Sequence, residues 1–440
     1  MGEFFGTDGV RGVANRELTP ELAFSLGRAG AHVLCNGRGK IVIGRDTRVS
    51  GDMLEAALVA GICSTGVQAV RLGVIPTPGV AFFARSTDAA GGVVISASHN
   101  PVEDNGIKFF NSQGYKLGDK EESLIEAAVK NDVADRPTGK DVGRAFTELQ
   151  GIKQYAHYAA GTVDCDFSGL RVVVDCACGA AWEAAPKVLS QLGAEVIAIN
   201  DQPDGERINV NCGSTNVGLL SRAVIEHQAH VGIAHDGDAD RVIAVDEKGN
   251  TVDGDAIMLI CGLHLARKGL LRNNTVVVTV MSNLGLELAL TEAGIKVYRT
   301  SVGDKYVLRK MLEEDASLGG EQSGHIIFAD HCTTGDGIVT ACQLIAVIKE
   351  RGEPLSALSS LMKKLPQTMV NVRVKDKAAA QNSKELAAAL KAAEKELGNA
   401  GRILVRPSGT EPVIRVMVES PTEEQCIDIA DRLAAVVSHY

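Results

Sequence analysis

The sequence predicts an α/β fold: three similar α/β domains with mixed sheets, followed by a smaller C-terminal α+β domain. Three observations predict it. Three short β-branched runs, Ile41–Ile43, Val172–Val174 and Val276–Val278, are continuous rather than alternating, as strands buried on both faces are. Each is followed by a polar or glycine turn, a helical pattern, a glycine and a second strand. At 440 residues the chain exceeds a single core, since roughly 150 residues per domain is the usual scale.

The units read as follows. In the first, Ile41–Ile43 leads through Arg45-Asp-Thr-Arg48 to a helix over 51–65, Gly66 and a strand Val67–Leu72. In the second, Val172–Val174 leads through Asp175-Cys-Ala-Cys-Gly179 to a helix over 180–192, Gly193 and Ala194–Ile199. In the third, Val276–Val278 leads through Met281-Ser-Asn-Leu-Gly285 to a helix over 284–293, Gly294 and Ile295–Tyr298. Glycine commonly ends a helix because it adopts the left-handed conformation at little cost. A third strand follows in each unit and runs into a polar loop. Gly92–Ile95 enters Ser96-Ala-Ser-His-Asn-Pro101, Val231–Ala234 enters His235-Asp-Gly-Asp-Ala-Asp-Arg241, and Ala316–Leu318 enters Gly319-Gly-Glu-Gln-Ser-Gly-His325. Ligands in open α/β sheets bind at the carboxyl ends of strands, so three such loops suggest three domains facing one cleft.

The last stretch differs. Residues 368–375 alternate like a half-buried strand, 384–397 read as a helix, Arg402–Val405 and Val413–Val418 as strands, and 422–437 as a final helix. Residues 376–400 are rich in Ala, Lys and Glu, as a solvated helix is. Domain boundaries are expected near 150, 252 and 366.

Composition narrows the function. Hydrophobic residues are 45% and charged residues 23%, which suits a globular chain and excludes a disordered, collagen-like or coiled-coil one. A net charge of −10 argues against a broad nucleic-acid or anionic-membrane surface, and a 4% aromatic content against base-stacking platforms. None of the ten cysteines forms Cys-x-x-Cys, so buried reduced thiols in a cytoplasmic protein are expected. No secretory leader or membrane span is read. Neither a Walker A motif nor a G-x-G-x-x-G sequence supports nucleotide binding.

Several motifs carry chemistry. Asp236, Asp238 and Asp240 alternate, and three carboxylates that close repel unless a hard cation lies among them. An EF-hand fits poorly: Arg241 stands where glycine is required, and Val242–Val245 reads as a strand. A compact Mg²⁺ site with one ligand missing fits better, beside the plainer reading of a solvated acidic turn. Ser98, before His99, is either a nucleophile, a helix cap or a turn residue. Lys108 is a surface lysine, or acts in proton transfer if its pKa is lowered. Gly6-Thr-Asp-Gly-Val-Arg-Gly12 surrounds Arg11 with glycines, suiting either a plain turn or a close backbone approach to an anion. Arg406-Pro-Ser-Gly-Thr-Glu-Pro412 offers Arg406, the Ser408 and Thr410 hydroxyls and the Gly409 N–H, with Arg415 nearby. It is a phosphate cradle or a tight hairpin. Glu321, Ser323 and His325 alternate, so an extended loop would aim them one way toward sugar hydroxyls; a glycine-rich turn is the alternative.

Taken together, in this order and spacing, these loops resemble the α-D-phosphohexomutase superfamily, from Glu3-Phe-Phe-Gly-Thr-Asp-Gly-Val-Arg-Gly12 to Arg406-Pro-Ser-Gly-Thr-Glu-Pro412. Gly320-Glu-Gln-Ser-Gly-His325 and Val302-Gly-Asp-Lys-Tyr-Val307 are most similar to its bacterial phosphoglucosamine mutase branch; Asp304 departs from the Gly-His pair of the mannose/glucose branch. The resemblance implies a heart-shaped four-domain fold around a central cleft. It implies an intramolecular phosphotransferase, an isomerase, interconverting glucosamine 6-phosphate and glucosamine 1-phosphate through a 1,6-bisphosphate. It implies phosphorylation on Ser98, with one Mg²⁺ held by Asp236, Asp238, Asp240 and a phosphoserine oxygen. Lys108, Arg11 and His99 are implied beside the reacting phosphoryl group. Arg241, Glu321, Ser323 and His325 are implied on the sugar, and Arg406, Ser408, Gly409, Thr410 and Arg415 on the non-reacting phosphate. A hexose 1,6-bisphosphate activator and a monomer or homodimer without nucleic-acid or membrane partners complete the expectation. A phosphomannomutase/phosphoglucomutase shares these residues, and a phosphatase or a sugar-phosphate binding protein without turnover shares many.

Overall fold

A computed structural model of the chain describes residues 3–6, 8–35, 38–132, 136–408 and 412–440. Its named strands form four sheets. The first contains β1 (Val10–Val13), β2 (Lys40–Arg45), β3 (Gln68–Val74), β4 (Gly91–Ile95), β5 (Asp104–Asn111) and β6 (Ala145–Thr147), in the order β1-β5-β4-β2-β3-β6. The second contains β7 (Arg171–Asp175), β8 (Glu195–Ile199), β9 (Val231–His235), β10 (Val242–Asp246) and β11 (Thr251–Val252), in the order β11-β10-β9-β7-β8. The third contains β12 (Thr275–Thr279), β13 (Lys296–Thr300), β14 (Leu318–Gly320) and β15 (Ile326–Phe328), in the order β13-β12-β14-β15. The fourth contains β16 (Gln367–Arg373), β17 (Arg402–Pro407) and β18 (Val413–Glu419), with β18 in the middle.

The repeat is a shared topology. The runs β3-β2-β4-β5, β8-β7-β9-β10 and β13-β12-β14-β15 place equivalent strands in equivalent positions. The strands joined through helices pair in parallel where their register is known, as β2 does with β3 and β4, β7 with β8 and β9, and β12 with β14. The fourth strand of each run is antiparallel to the third. A crossover helix gives a parallel neighbour, whereas the short polar loop can only return an antiparallel one. The apolar run in the first strand of each unit is buried, which is why that stretch is continuous and apolar. Gly66, Gly193 and Gly294 all have left-handed φ, of 89°, 93° and 75°, as the predicted helix ends require.

Three local readings are corrected. The third strand of the third unit is Leu318–Gly320 rather than 316–318, because the Ala316 N–H still bonds the Met311 carbonyl and closes the preceding helix. Part of the N-terminal glycine motif is a strand: β1 pairs antiparallel with β5 at the sheet edge. Residues 376–400 hold two helices, Lys377–Gln381 and Lys384–Leu397, divided where Ser383 caps the second by accepting from the Leu386 N–H at 3.1 Å.

The chain divides into two compact units, one formed by the residues up to Thr279 with Tyr298–Ser360, the other by Val280–Val297 with Leu361–Tyr440. In the second unit the helix Leu284–Glu292 joins the C-terminal sheet. Asn283 Nδ2 donates to the Leu365 carbonyl at 3.0 Å, the Leu284 N–H donates to Glu419 at 3.0 Å, and Arg402 donates to the Val280 and Ser282 carbonyls. Its core is Ile414, Val416 and Val418 against Ile429 and Leu433. Among the described residues no helix is long and apolar enough to cross a membrane.

Candidate active site

Ser98 and the acidic loop meet at the carboxyl ends of β4 and β9. Ser98 is buried and left-handed, with φ of 52°, and its Oγ donates to Asp236 Oδ2 at 2.5 Å. The approach is close: a Cβ on Gly237 would stand 2.6 Å from the Ser98 carbonyl oxygen, so only glycine fits there. His99 Nδ1 lies 3.3 Å from Ser98 Oγ. Burial, with the Arg241 and Arg11 charges, lowers its pKa to about 4, so the ring is neutral at pH 7.

One carboxylate oxygen from each of Asp236, Asp238 and Asp240 lies within 4.8 Å of the others, and all three residues are buried. Burial, reinforced by Asp240 and Asp238, raises Asp236 well above the usual carboxylate range. Burial would raise Asp240 too, but His325, Lys108 and Arg241 outweigh it and hold that carboxyl low. Among the described residues Oδ1 of Asp238 and Oδ1 of Asp240 are buried without a hydrogen-bond partner. Buried acceptors in that state fit the all-oxygen surroundings of a hard divalent cation. Residues 242–246 form β10, as the reading against an EF-hand expected.

Lys108 projects from β5 into this cluster. It is buried, with Nζ 3.2 Å from Asp238 Oδ2, 3.1 Å from Asp8 Oδ2 and 4.0 Å from Asp240 Oδ2. The lowered pKa that the sequence reading made a condition of proton transfer is not found. Burial alone lowers it, but Asp238 and Asp8 outweigh that and the net direction is up. Lys108 is therefore an ammonium at neutral pH.

From Lys108 an alternating circuit of charge runs through Asp8, Lys116, Asp304, His325 and Asp240 and back. Asp8 to Lys116 is 2.8 Å, Lys116 pairs with Asp304, Asp304 to His325 is 3.7 Å, and His325 to Asp240 is 3.4 Å. Arg11 pairs with Asp8 and donates to Asn100 Oδ1 at 3.1 Å. Burial lowers the pKa of His325, but Asp240 and Asp304 outweigh it and the net direction is up.

Glu321, Ser323 and His325 do not point one way, because residues 321–325 form a tight hairpin rather than an extended loop. The Gly324 N–H bonds the Glu321 carbonyl, and the Glu321 N–H the His325 carbonyl, each at 3.0 Å. Glu321 Oε1 accepts from the Gly303 N–H at 3.1 Å, Ser323 is exposed, and His325 is buried against Asp240.

Four family models, all described as phosphoglucomutase/phosphomannomutase, match in succession. They are alpha/beta/alpha domain I over 2–136, alpha/beta/alpha domain II over 153–249, alpha/beta/alpha domain III over 253–365, and the C-terminal domain over 369–436. The chain belongs to the phosphoglucomutase/phosphomannomutase family. Among curated relatives, the phosphoglucosamine mutase of Desulforamulus reducens is 57% identical and that of Pelotomaculum thermopropionicum 58%, over 100% and 99% of both chains respectively. A crystal structure of a phosphoglucomutase/phosphomannomutase family protein from Burkholderia thailandensis matches with a TM-score of 0.84 at 25% identity, over 99% of this chain and 97% of that one. An Aspergillus fumigatus N-acetylphosphoglucosamine mutase, solved with GlcNAc-6P and magnesium, shares the fold at a TM-score of 0.70 and 18% identity, over 99% of this chain and 95% of that one.

This phosphohexomutase carries two further charged features. In its second unit Arg406 and Arg415 stand directly opposite on β17 and β18. Burial lowers the pKa of Arg406, and the Arg415 charge adds to it. Like charges directly opposite on paired strands are destabilising, which a bound anion relieves. Ser408 is buried at the end of this pair, and Gly409 and Thr410 lie outside the described residues. The charge circuit also includes Asp8 and Lys116, which the sequence reading left out. No spacing links them; the β1–β5 pairing does, since Asp8 precedes β1 and Lys116 bridges back to Phe110 of β5.

Proposed function

We propose that the chain is a phosphoglucosamine mutase, interconverting glucosamine 6-phosphate and glucosamine 1-phosphate. One observation carries the reading: in a chain alike over its whole length to phosphoglucosamine mutases, Ser98 Oγ is seated 2.5 Å from a carboxylate of the buried aspartate loop. Ser98 carries the phosphoryl group. Transfer forms a P–O bond to the free sugar hydroxyl as the Oγ–P bond breaks. The bisphosphate turns end for end and returns its other phosphoryl group to Ser98. Lys108, an ammonium, gives a proton to the departing Oγ and regains one from the sugar hydroxyl, so the proton count closes. Arg11, tied to Asp8 and Asn100, supplies fixed positive charge on the same side. His99 stays neutral and keeps a ring nitrogen beside Oγ. Asp236, Asp238 and Asp240, with an oxygen of the phosphorylated Ser98, would hold one Mg²⁺, whose charge offsets that of the transferring group.

Glu321 and Ser323 are assigned to the sugar, with Arg241 beside them. His325 is assigned to holding Asp240. Arg406, Arg415 and the Ser408–Thr410 segment are assigned to the non-reacting phosphate. The four matched ranges support domain boundaries near 150, 252 and 366. We assign the chain to amino-sugar and cell-wall precursor synthesis in the cytoplasm.

The test is initial rates on glucosamine 6-phosphate, glucose 1-phosphate and mannose 1-phosphate, with Mg²⁺ and a trace of hexose 1,6-bisphosphate, beside the intact mass of the protein. Preference for glucosamine 6-phosphate by a large factor in kcat/KM, with a mass increment of one phosphate, is expected. Preference for glucose or mannose phosphate would make it a phosphoglucomutase/phosphomannomutase. Release of inorganic phosphate would make it a phosphatase.

A further inference from the structure

The turn Arg45-Asp-Thr-Arg48 has no part in the mechanism above, yet two of its side chains are completely buried. Arg48 and Asp46 both have 0% exposure. A guanidinium taken wholly out of water must find partners for all five N–H groups or destabilise the fold. Arg48 finds five. Nε donates to Asp46 Oδ2 at 3.0 Å. Nη1 donates to the carbonyls of Pro101 and, at 3.0 Å, Asp104. Nη2 donates to the carbonyls of Ser98 at 2.9 Å and Asn100 at 2.8 Å. Four of the five bonds therefore go to backbone carbonyls, one of the nucleophile itself and three of residues that follow it.

Asp46 reaches the other side of the same residue. Its Oδ2 accepts from Ser96 Oγ at 2.6 Å, and Ser96 Oγ accepts from the Ser98 N–H at 2.9 Å. The backbone of Ser98 is gripped at both ends, its N–H by Ser96 and its carbonyl by Arg48 and Asn209. Between them Ser98 has a φ of 52°, which a residue with a Cβ adopts only when its surroundings insist. In that conformation Oγ donates to Asp236 Oδ2.

We propose that Ser96, Asp46 and Arg48 are positioning residues for the phosphoryl transfer, holding Ser98 in the left-handed conformation that aims its Oγ at the aspartate loop. Ser96 is thus the working partner of the nucleophile rather than an idle hydroxyl two residues before it. The inference rests on the phosphoserine reading.

Replacing Arg48 risks the fold, because it strands four carbonyls and a buried carboxylate. Ser96→Ala is the gentler variant: the Ser98 N–H loses its acceptor and Asp46 Oδ2 loses one donor, but Asp46 keeps Arg48. The experiment uses the full-length chain phosphorylated on Ser98. It measures kcat, KM, melting temperature and the ³¹P resonance of the phosphoserine. Ser96→Ala is expected to lower kcat by about 30-fold with KM within about threefold, the loss expected when a reacting atom is misplaced. Its ³¹P resonance is expected to shift from the wild-type position while the melting temperature moves little. Asp46→Asn, which keeps the volume and weakens the hold on Ser96, is expected to shift the resonance in the same direction. Wild-type kcat with an unmoved ³¹P resonance in Ser96→Ala overturns the inference, whatever the melting temperature does. A wild-type protein with no phosphoserine resonance overturns the phosphoserine reading itself and the inference with it, and needs no variant to show.

Discussion

Lys108 shows how a side chain's chemistry is set by groups far away in sequence. Burial argues for a lowered pKa, and Asp8 and Asp238 reverse it. Lys116 stands at the far side of Asp8 and is itself raised, since Asp304 and Asp8 outweigh its burial. Lys116→Met should leave two carboxylates short of a cation. Removing one partner of a buried pair costs about 3–5 kcal/mol, and these side chains remain partly exposed, so a loss of about 2–3 kcal/mol is expected in urea unfolding. Asp304→Asn in the same chain should recover part of it, with a coupling of about 1–2 kcal/mol. Strict additivity would mean that the Lys116–Asp304 pair does not form in solution. Ser98→Ala belongs to the same scale: it should abolish phosphate incorporation and turnover while leaving the melting temperature nearly unchanged. Wild-type rates in that variant would remove Ser98 from the mechanism. The three aspartates stand out as a motif because their spacing is local, whereas Ser98 alone reads equally as a nucleophile, a helix cap or a turn residue and is singled out only by the resemblance of the whole set of loops. The charge states of Lys108 and His325 are not legible, because each is set in part by the acidic loop of another sheet, through Asp238 for Lys108 and Asp240 for His325.

Among the elements, the first strand of each unit carries the plainest signal, because its apolar run is uniformly buried. Ile41–Ile43, Val172–Val174 and Val276–Val278 have water on neither face, so their sequence carries one signal. β5 was missed because Asn105, Gly106 and Lys108 interrupt it, each polar or small because it borders the site. The end of β9 carries a measurable consequence. His235 is fully buried, its Nδ1 3.1 Å from the Arg241 carbonyl, and burial lowers its pKa to about 4. In the unfolded chain a histidine titrates near 6.5. The unfolded state therefore binds the extra proton first, and stability from this group is whole above about pH 6.5 and is lost as pH falls toward 4. The loss is about 3 kcal/mol over that window. His235→Gln keeps a donor for the carbonyl without titrating. Urea unfolding at pH 7 and pH 4.5 should show a smaller acid loss in the variant, and equal losses would mean that the ring is protonated or solvated when folded.

At the scale of the whole molecule, two compact units carry charge clusters of opposite sign. The first holds three buried aspartates at the head of β9, the second two arginines facing each other across β17 and β18. Like charges stand close together in each cluster, so each unit should gain stability from an ion of the opposite sign. A ligand that binds only the folded state stabilises by about 2.7 kcal/mol at a hundredfold excess over Kd. Hydrogen exchange followed segment by segment separates the two. Mg²⁺ should slow exchange of the amides over 231–246 and leave β16, β17 and β18 unchanged. Inorganic phosphate should slow β17 and β18 through Arg406 and Arg415. Asp238→Asn removes a carboxylate charge from the loop, at a side chain whose Oδ1 has no hydrogen-bond partner among the described residues, and should erase the Mg²⁺ effect alone. Sodium chloride at matched ionic strength should do neither, since general screening does not distinguish the two clusters. A Mg²⁺ effect that survives Asp238→Asn would place the cation elsewhere. One spread over both units would mean that the ion acts on net charge rather than at a site.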